Sequence, residues 1–448
     1  MTAIWRIFYR CYCLMSRLKR WERRRFTRAG LMVLGGLIAT GMTGLDTENT
    51  VAYQAVIPLM LLLAVAAAFS WFFRARFSAT RLLPRFGTVG RPLNYRLVVQ
   101  NLTRKSQRGL TALEDLVDLR PSLHEWMAAW RAAQKRVRSF RVSRPQRAFS
   151  VKHATARETP VPPVPPLQDT EVNLQLTPLR RGVLRFAGVT LARPDPFGLF
   201  RAFVTMSVPQ SVLILPKRYP LPPLALPGTL EYQEGGVALA SSVGRSDEFV
   251  ALRDYRPGDP VRHIHWRSWA KAGKPVVKEF EDEFFVRHAL VLDTFAEEAQ
   301  EEMFEEAVSV AASFACAIPT QESLLDLLFV GPQSYCFTAG RGLAHTDQML
   351  EILASVRACG HQPFQALEHL VLSHVSLVSG CICVLVAWDE QRRQFIAKLK
   401  RLGVPVLVLV VVAPGEDQEL DPGPMRTEPG RFHVLEAGRI EEGLARLK

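Results

Sequence analysis

At 448 residues and 48% hydrophobic side chains, the chain carries enough apolar material for two or three cores, which excludes a disordered or fibrous protein. The net charge of +13 points first to an anionic partner, yet it is confined to two segments: residues 1–28 hold nine Arg or Lys against Glu22, and residues 120–158 hold ten against Glu125 and Glu158, a net +8 each. The rest of the chain is left at −3, so nucleic-acid binding is not expected.

The seven cysteines give neither a CxxC pair nor a Cys/His zinc spacing, and buried reduced thiols are expected, with Cys381 and Cys383 on one face of a strand. Residues 1–28 interleave aromatic and aliphatic groups with Arg and Lys, the pattern of a basic amphipathic segment lying on anionic lipid headgroups or of a plain basic flank. Residues 29–45 and 51–73 are then uncharged, and they predict a transmembrane helical hairpin across residues 29–73 with a very short outer loop at Asp46 and Glu48. Basic residues on both flanks place the two termini and the main domains on the cytoplasmic side of a plasma (inner) membrane.

Residues 80–228 read as a β-rich module. Runs such as LNYRLVVQNL, EVNLQLTPL, GVLRFAGVTL, FRAFVTMSV and SVLILP, separated by turns, predict a small antiparallel β-sandwich or barrel. The basic insert at residues 120–158 contains a helical pattern with Trp126 and Trp130 on one face, and TPVPPVPP at residues 159–166 reads as a stiff extended connector.

The densest signal lies in a junction at residues 229–284, with the sequence DEFVALRDYRPGDPVRHIHWRSWAKAGKPVVKEFEDE from residue 247 to 283. Pro257 and Gly258 make a turn, Asp259 suits a helix N-cap, Pro260 suits the first helical position, and Gly273 suits the helix end. His263 and His265, two apart, diverge around a helix and do not make a metal pair. Trp266 is expected to be buried, so that Asp259, Arg262 and Trp266 fasten the β-rich module to the domain that follows, with Arg262 pairing to Glu279 or Glu283.

Glu248, Arg253, Tyr255, Pro257, Gly258, Asp259, Arg262, Ile264, Trp266, Lys271, Lys278, Glu279, Phe280 and Glu283 together are similar to the signature of the family called domain of unknown function 58. RLLP from Arg81, RRG from Arg180 and DPFGLF from Asp195 agree with the same resemblance, which covers roughly residues 80–400 apart from the insert. It implies a membrane-anchored protein whose usual partner is a MoxR-type AAA+ ATPase, sometimes alongside other membrane proteins.

From residue 285 to 448 apolar strands alternate with amphipathic helices, which predicts an α/β domain with a mainly parallel sheet covered on both faces. This part resembles von Willebrand factor A domains, and the resemblance implies an Asp-x-Ser-x-Ser ligand set for Mg²⁺ after the first strand. Here the corresponding residues are Asp293, Thr294, Phe295, Ala296 and Glu297, with Asp389 after a later strand. Both serines are gone, so Asp293, Glu297 and Asp389 form a degenerate metal set, and no metal or cofactor is expected. Nor does the chain hold a Walker loop, HExxH, GxSxG or a dinucleotide glycine fingerprint. The expected function is a membrane-tethered protein-interaction or assembly factor and not an enzyme. The alternatives are a Mg-dependent binding module of the von Willebrand A type, and a cryptic hydrolase using the Asp, Arg and His of the junction.

Overall fold

The computed structural model describes residues 2–43, 50–71, 73, 75–117, 123, 126–127, 153–223, 249–257, 259, 261–280, 286–296, 300–318, 323–340, 346–360, 362–415 and 420–447. The chain divides into two compact units, Met1–Leu215 and Pro216–Lys448.

The first unit opens with three helices, α1 (Thr2–Arg25), α2 (Arg28–Thr43) and α3 (Thr50–Trp71). The expected transmembrane hairpin is overturned: among the described residues no helix is long and apolar enough to cross a membrane. The 16 residues of α2 rise about 24 Å at 1.5 Å per residue, short of a hydrocarbon core of about 30 Å. With the spans, the multi-pass membrane placement inferred from them falls as well. The outer faces of α2 and α3 keep Met32, Met42 and Leu61 exposed, and this is the hydropathy from which the spans were read.

The inner parts of these helices pack on the β-rich portion of the same unit. Ala66 of α3 is fully buried with Leu199 and Phe200, and Phe26 meets the Phe200 ring edge-on at 5.1 Å. A Cβ on Gly30 would collide with the Leu199 carbonyl, so only glycine permits that approach. The aromatic residues of α1 have a local use too. Trp5, Tyr9 and Tyr12 surround Trp126, at the start of the basic insert, with ring centroids 5.8 to 6.1 Å away. Arg24 pairs with Asp115 and donates to the Glu114 carbonyl at 3.0 Å, while Arg25 lies 4.5 Å over the Phe203 ring.

Nine strands build the β-rich portion: β1 (Phe77–Leu82), β2 (Phe86–Thr88), β3 (Leu93–Asn101), β4 (Leu110–Leu116), β5 (Ala154–Ala156), β6 (Thr159–Val161), β7 (Asp169–Pro178), β8 (Gly182–Pro194) and β9 (Arg201–Leu215). They form two sheets, β1-β3-β7-β5 and β2-β9-β8-β4-β6, antiparallel except where β2 runs parallel to β9. Tyr95, Leu97 and Val99 alternate inward from β3, meeting Leu184, Phe186 and Ile214 from the other sheet in one core. The stiff connector differs from expectation, since Thr159–Val161 pairs with β4 as an edge strand. FRAFVTMSV and SVLILP fuse into the single strand β9. Pro209, between them, lies where the register shifts between Phe186 and Gly188, so its missing N–H is tolerated at a bulge.

An ion pair crosses the core between the sheets. Arg81 of β1 donates to both Glu114 oxygens at 2.7 and 3.3 Å, to the carbonyls of Gly188 at 3.1 Å and Val208 at 3.0 Å, and lies over the Phe186 ring. Every polar direction of the buried guanidinium is thus used, which is the condition under which a buried charge is tolerated. Asp195 orders the turn after β8 in a similar way: its carboxylate accepts from Leu199 N at 2.7 Å and Phe200 N at 2.9 Å, with Gly198 at a φ of +69°. RLLP and DPFGLF therefore carry structural duties.

The second unit contains a two-stranded antiparallel sheet, β10 (Phe249–Asp254) with β11 (Val276–Phe280), whose connection holds the short helix α4 (Trp266–Ala272). A six-stranded sheet follows, built from β12 (Val286–Leu292), β13 (Ser323–Val330), β14 (Ser334–Ala339), β15 (Gly380–Leu385), β16 (Val406–Val412) and β17 (Phe432–Glu436), in the order β14-β13-β12-β15-β16-β17. All neighbours are parallel except the β13–β14 hairpin. The helices are α5 (Glu301–Ala317), α6 (Thr346–Ser355), α7 (Gln365–His374), α8 (Glu390–Arg401) and α9 (Ile440–Leu444). Ala289, Val291, Cys381, Cys383, Val408 and Val410 face one core with Leu367 of α7 and Phe395 of α8, while the alternate residues Leu290, Leu292, Ile382 and Leu409 are buried on the opposite face. Burial pushes the Cys381 thiol up to about 12, so it behaves as a small core hydrophobe.

Candidate functional site

Two places carry the residues that the sequence singles out. The first is the carboxyl end of β12, where chain direction in a parallel sheet collects ligand-facing groups. Asp293 sits there fully buried. Its Oδ1 accepts from Phe295 N at 2.9 Å, and its Oδ2 accepts from Val386 N at 3.2 Å and from Arg392 Nε at 2.6 Å. Arg392, in the first turn of α8, also donates to Asp389 Oδ2 at 2.6 Å and to the Phe295 carbonyl at 3.1 Å, with its guanidinium 4.9 Å over the Phe364 ring. Asp389 in turn caps α8 by accepting from Arg392 N at 3.0 Å. Burial pushes the Asp293 carboxyl above its ordinary range, and Arg392 and the two amides pull it back. Both of its oxygens only accept, so the ionised form is the one this geometry holds.

These residues do not fit a divalent cation. The guanidinium lies between the two acids that the resemblance assigns to a metal, and it takes the charge that a cation would supply. Thr294 is also committed, since its hydroxyl donates to the Val330 carbonyl. Phe295 turns its ring against Phe364, and Glu297 falls outside the described residues. No cluster of three or more metal-ligating side chains occurs among the described residues. Arg392 is the member of this site that sequence reasoning missed. Its signal was an Arg three residues after a capping Asp, beside strand ends that already held a carboxylate.

The second place is the junction, and here the local structure departs from expectation. Helix α4 begins at Trp266, after a 3₁₀ turn at Val261–His263, instead of starting at Asp259. Asp259 caps the preceding turn: it accepts from Arg256 N at 2.8 Å, and the two Arg253 guanidinium nitrogens grip its oxygens at 2.6 and 2.8 Å. Arg253 foremost, with the Arg256 amide, holds the Asp259 carboxyl down at about 2. Tyr255 donates its backbone N–H to the Pro275 carbonyl, and Ile264 bridges Val277, so β11 is paired on both edges. Gly273 ends the helix as its position suggested, with φ +68° and its N–H on the Trp269 carbonyl. His265 shares a 2.7 Å hydrogen bond with Ser268, and Arg262 approaches His263 at 3.3 Å. Asp259 thus spends both oxygens on the Arg253 clamp and the Arg256 amide.

Trp266 is the main correction. It is 61% exposed, where burial was expected, and it stacks on Trp269 with ring centroids 5.1 Å apart and planes 18° from parallel. Lys278 is half-buried, and Arg262 is exposed. Glu248, Gly258 and Glu283 fall outside the described residues, as do the side chains of Glu279 and Phe280, so the pairing expected for Arg262 lies there too.

The family described as "Protein of unknown function DUF58" matches residues 251–430, which takes in the junction from residue 251 onward and most of the α/β portion. Among curated relatives, the uncharacterized protein YeaD of Bacillus subtilis (strain 168) is 26% identical over 187 residues. That match covers 41% of this chain and 45% of YeaD, so it spans under half the length of the relative. Among solved structures, the CARDB domain of a Pyrococcus furiosus protein (9% identity, 31% of this chain, 94% of that domain) has a TM-score of 0.16. The cohesin module of a family 33 glycoside hydrolase from Clostridium perfringens (10% identity, 32% and 98%) has a TM-score of 0.17. What these comparisons establish is a DUF58 segment over residues 251–430.

Proposed function

We propose that the chain is a non-enzymatic protein-interaction or assembly factor that engages its partner through the junction module of β10, α4 and β11. The observation that carries this reading is the exposed Trp266, stacked on Trp269 in a helix of only seven residues. A large aromatic costs solubility when exposed and is enriched where proteins bind one another. The Arg253–Asp259 clamp and the paired edges of β11 hold that surface on a rigid frame. The order of the six-stranded sheet, with Asp293 at the end of a central strand, supports a von Willebrand A-type scaffold in which Arg392 stands in for the cation. Metal-dependent binding is the weaker reading because the acids are already neutralised.

The DUF58 resemblance makes a MoxR-type AAA+ ATPase the partner to test. Tagged full-length protein should retain such an ATPase in co-purification. Trp266→Ala should abolish the retention while shifting the melting temperature by no more than about 2 °C, the range of an exposed substitution in a unit of this size. Undiminished retention by a Trp266→Ala/Trp269→Ala double variant would overturn the proposed surface.

A further inference from the structure

The chemistry around the tryptophan stack narrows the class of partner. From Phe249 to Phe280 the module holds seven cations, namely Arg253, Arg256, Arg262, Arg267, Lys271, Lys274 and Lys278, against Asp254, Asp259 and Glu279, a net +4. Two of these acids are already engaged: Asp259 by Arg253, and Asp254 by Lys274 at 2.6 Å. Arg256, Arg262, Arg267 and Lys271 are all exposed. Arg267 and Lys271, four residues apart, stand as neighbours on α4 beside the row that holds Trp266. Val261 and Leu252 add further exposed apolar surface to the module. The flanking residues Asp247, Glu248, Glu281, Asp282 and Glu283 are acidic, so this concentration of positive charge is confined to the module.

We infer that the junction surface takes an acidic segment of a partner protein, with an aromatic side chain of that segment laid on the exposed Trp266 face and its carboxylates on Arg262, Arg267 and Lys271. This rests on the reading of the junction as the interaction surface and adds the chemistry of what it binds. A stacked indole pair offers a flat π face, on which a second aromatic ring gains dispersion and quadrupole contact. A cationic side chain would favour that same face in isolation. The exposed Arg256, Arg262, Arg267 and Lys271 of the module repel such a ligand, and they attract carboxylates. Arg supplies a fork that matches a carboxylate in two parallel hydrogen bonds, which fixes the orientation of an acidic segment as well as its sign.

The test uses full-length protein and three fluorescein-labelled dodecapeptides followed by fluorescence anisotropy. One alternates Asp and Glu with Ser around a central Trp, the second replaces the Trp by Ala, and the third replaces the acids by Lys. The acidic Trp peptide should bind. Its affinity should fall by roughly tenfold or more when salt is raised from about 50 to about 500 mM, because exposed charge pairs are screened over this range. Trp266→Ala and the double variant Arg267→Glu/Lys271→Glu should each weaken binding by about tenfold, and the Ala and Lys peptides should bind weakly or not at all. Both variants lie at exposed positions, so unchanged melting curves will show that they fold.

Equal binding of the Lys peptide, or no effect of the charge reversal, overturns the acidic class. If the ATPase is lost on Trp266→Ala but survives charge reversal, the surface reading stands and the acidic inference falls. If the peptide binds with the expected dependence while ATPase retention ignores Trp266, this inference stands and the partner named above falls.

Discussion

Arg392 offers the sharpest test of how the α/β portion is held together. It is 5% exposed and makes charged bonds to Asp293 and Asp389. The two contacts differ in weight. Asp389 keeps 49% of its side-chain surface in water, so its pairing is worth about 1 kcal/mol or less. Asp293 has none, and without Arg392 it would be a buried carboxylate facing two backbone amides only. Removing one partner of a buried pair costs about 3–5 kcal/mol, most of it the desolvation of the charge left behind. Arg392→Met should therefore lower stability by about that amount. In a unit spanning Pro216–Lys448 this corresponds to a fall of about 6 to 20 °C in the melting temperature. Asp293→Asn should cost less, because the guanidinium retains Asp389 and the Phe295 carbonyl. In the Asp293→Asn/Arg392→Met double variant the loss should fall short of the sum of the singles by about 0.5–3 kcal/mol. Urea unfolding followed by tryptophan fluorescence and far-ultraviolet circular dichroism reads these differences. A cost below about 1 kcal/mol for Arg392→Met, or strict additivity, would refute the reasoning.

Two further outcomes follow from the same geometry. Millimolar Mg²⁺ should leave the melting temperature of the full chain unchanged, because Arg392 already neutralises the acids; a rise of several degrees that Asp293→Ala removes would show a working metal site. The Arg253–Asp259 clamp should be pH-sensitive on the acid side. The folded carboxyl titrates at about 2 against an ordinary 3.8, so the clamp is fully formed above about pH 4 and is lost as pH falls through about 2. The near-ultraviolet circular dichroism of the Trp266–Trp269 stack should report this loss. Asp259→Asn at pH 6 should resemble the parent at low pH, and an identical spectrum for the variant and the parent at pH 6 would show that the clamp does not order the stack.

The α/β portion was legible because its strands are buried on both faces. GCICVL and VLVLVVV read as unbroken apolar runs, and their bounds fall within two or three residues of β15 and β16. Helix α7 was missed, since QALEHLVLSH begins two residues after Pro363 and its ten residues give too short a period to stand out. In the sandwich the strands that escaped notice are the short or charged ones. LTALEDL carries Glu114 and Asp115, which look like solvent-facing residues in sequence but are held by Arg81 and Arg24. The helical hairpin was read from hydropathy, which does not show where a helix stops: α2 ends at Thr43 after 16 residues. The acids of the degenerate metal set were visible, whereas the guanidinium between them was not, because a cation from a helix and a carboxylate from a strand meet only in three dimensions. Trp266 was expected inside because large aromatics usually are, and no local pattern separates a core tryptophan from one kept outside for contact.

The guanidinium of Arg81 reaches strands on both sides of the sandwich: its own β1, Glu114 of β4, Gly188 of β8 and Val208 of β9. One side chain therefore indexes the alignment of both sheets at once. Sliding β1 or β4 by one residue would turn Arg81 or Glu114 to the opposite face and strand its partner's charge in the core with nothing to meet it. Apolar alternation would tolerate a two-residue slip, because it restores the pattern, but the ion pair would not. In this sandwich the oily residues select which face is inward, and the buried Arg81–Glu114 salt bridge acts as the key that admits one register and rejects its near neighbours.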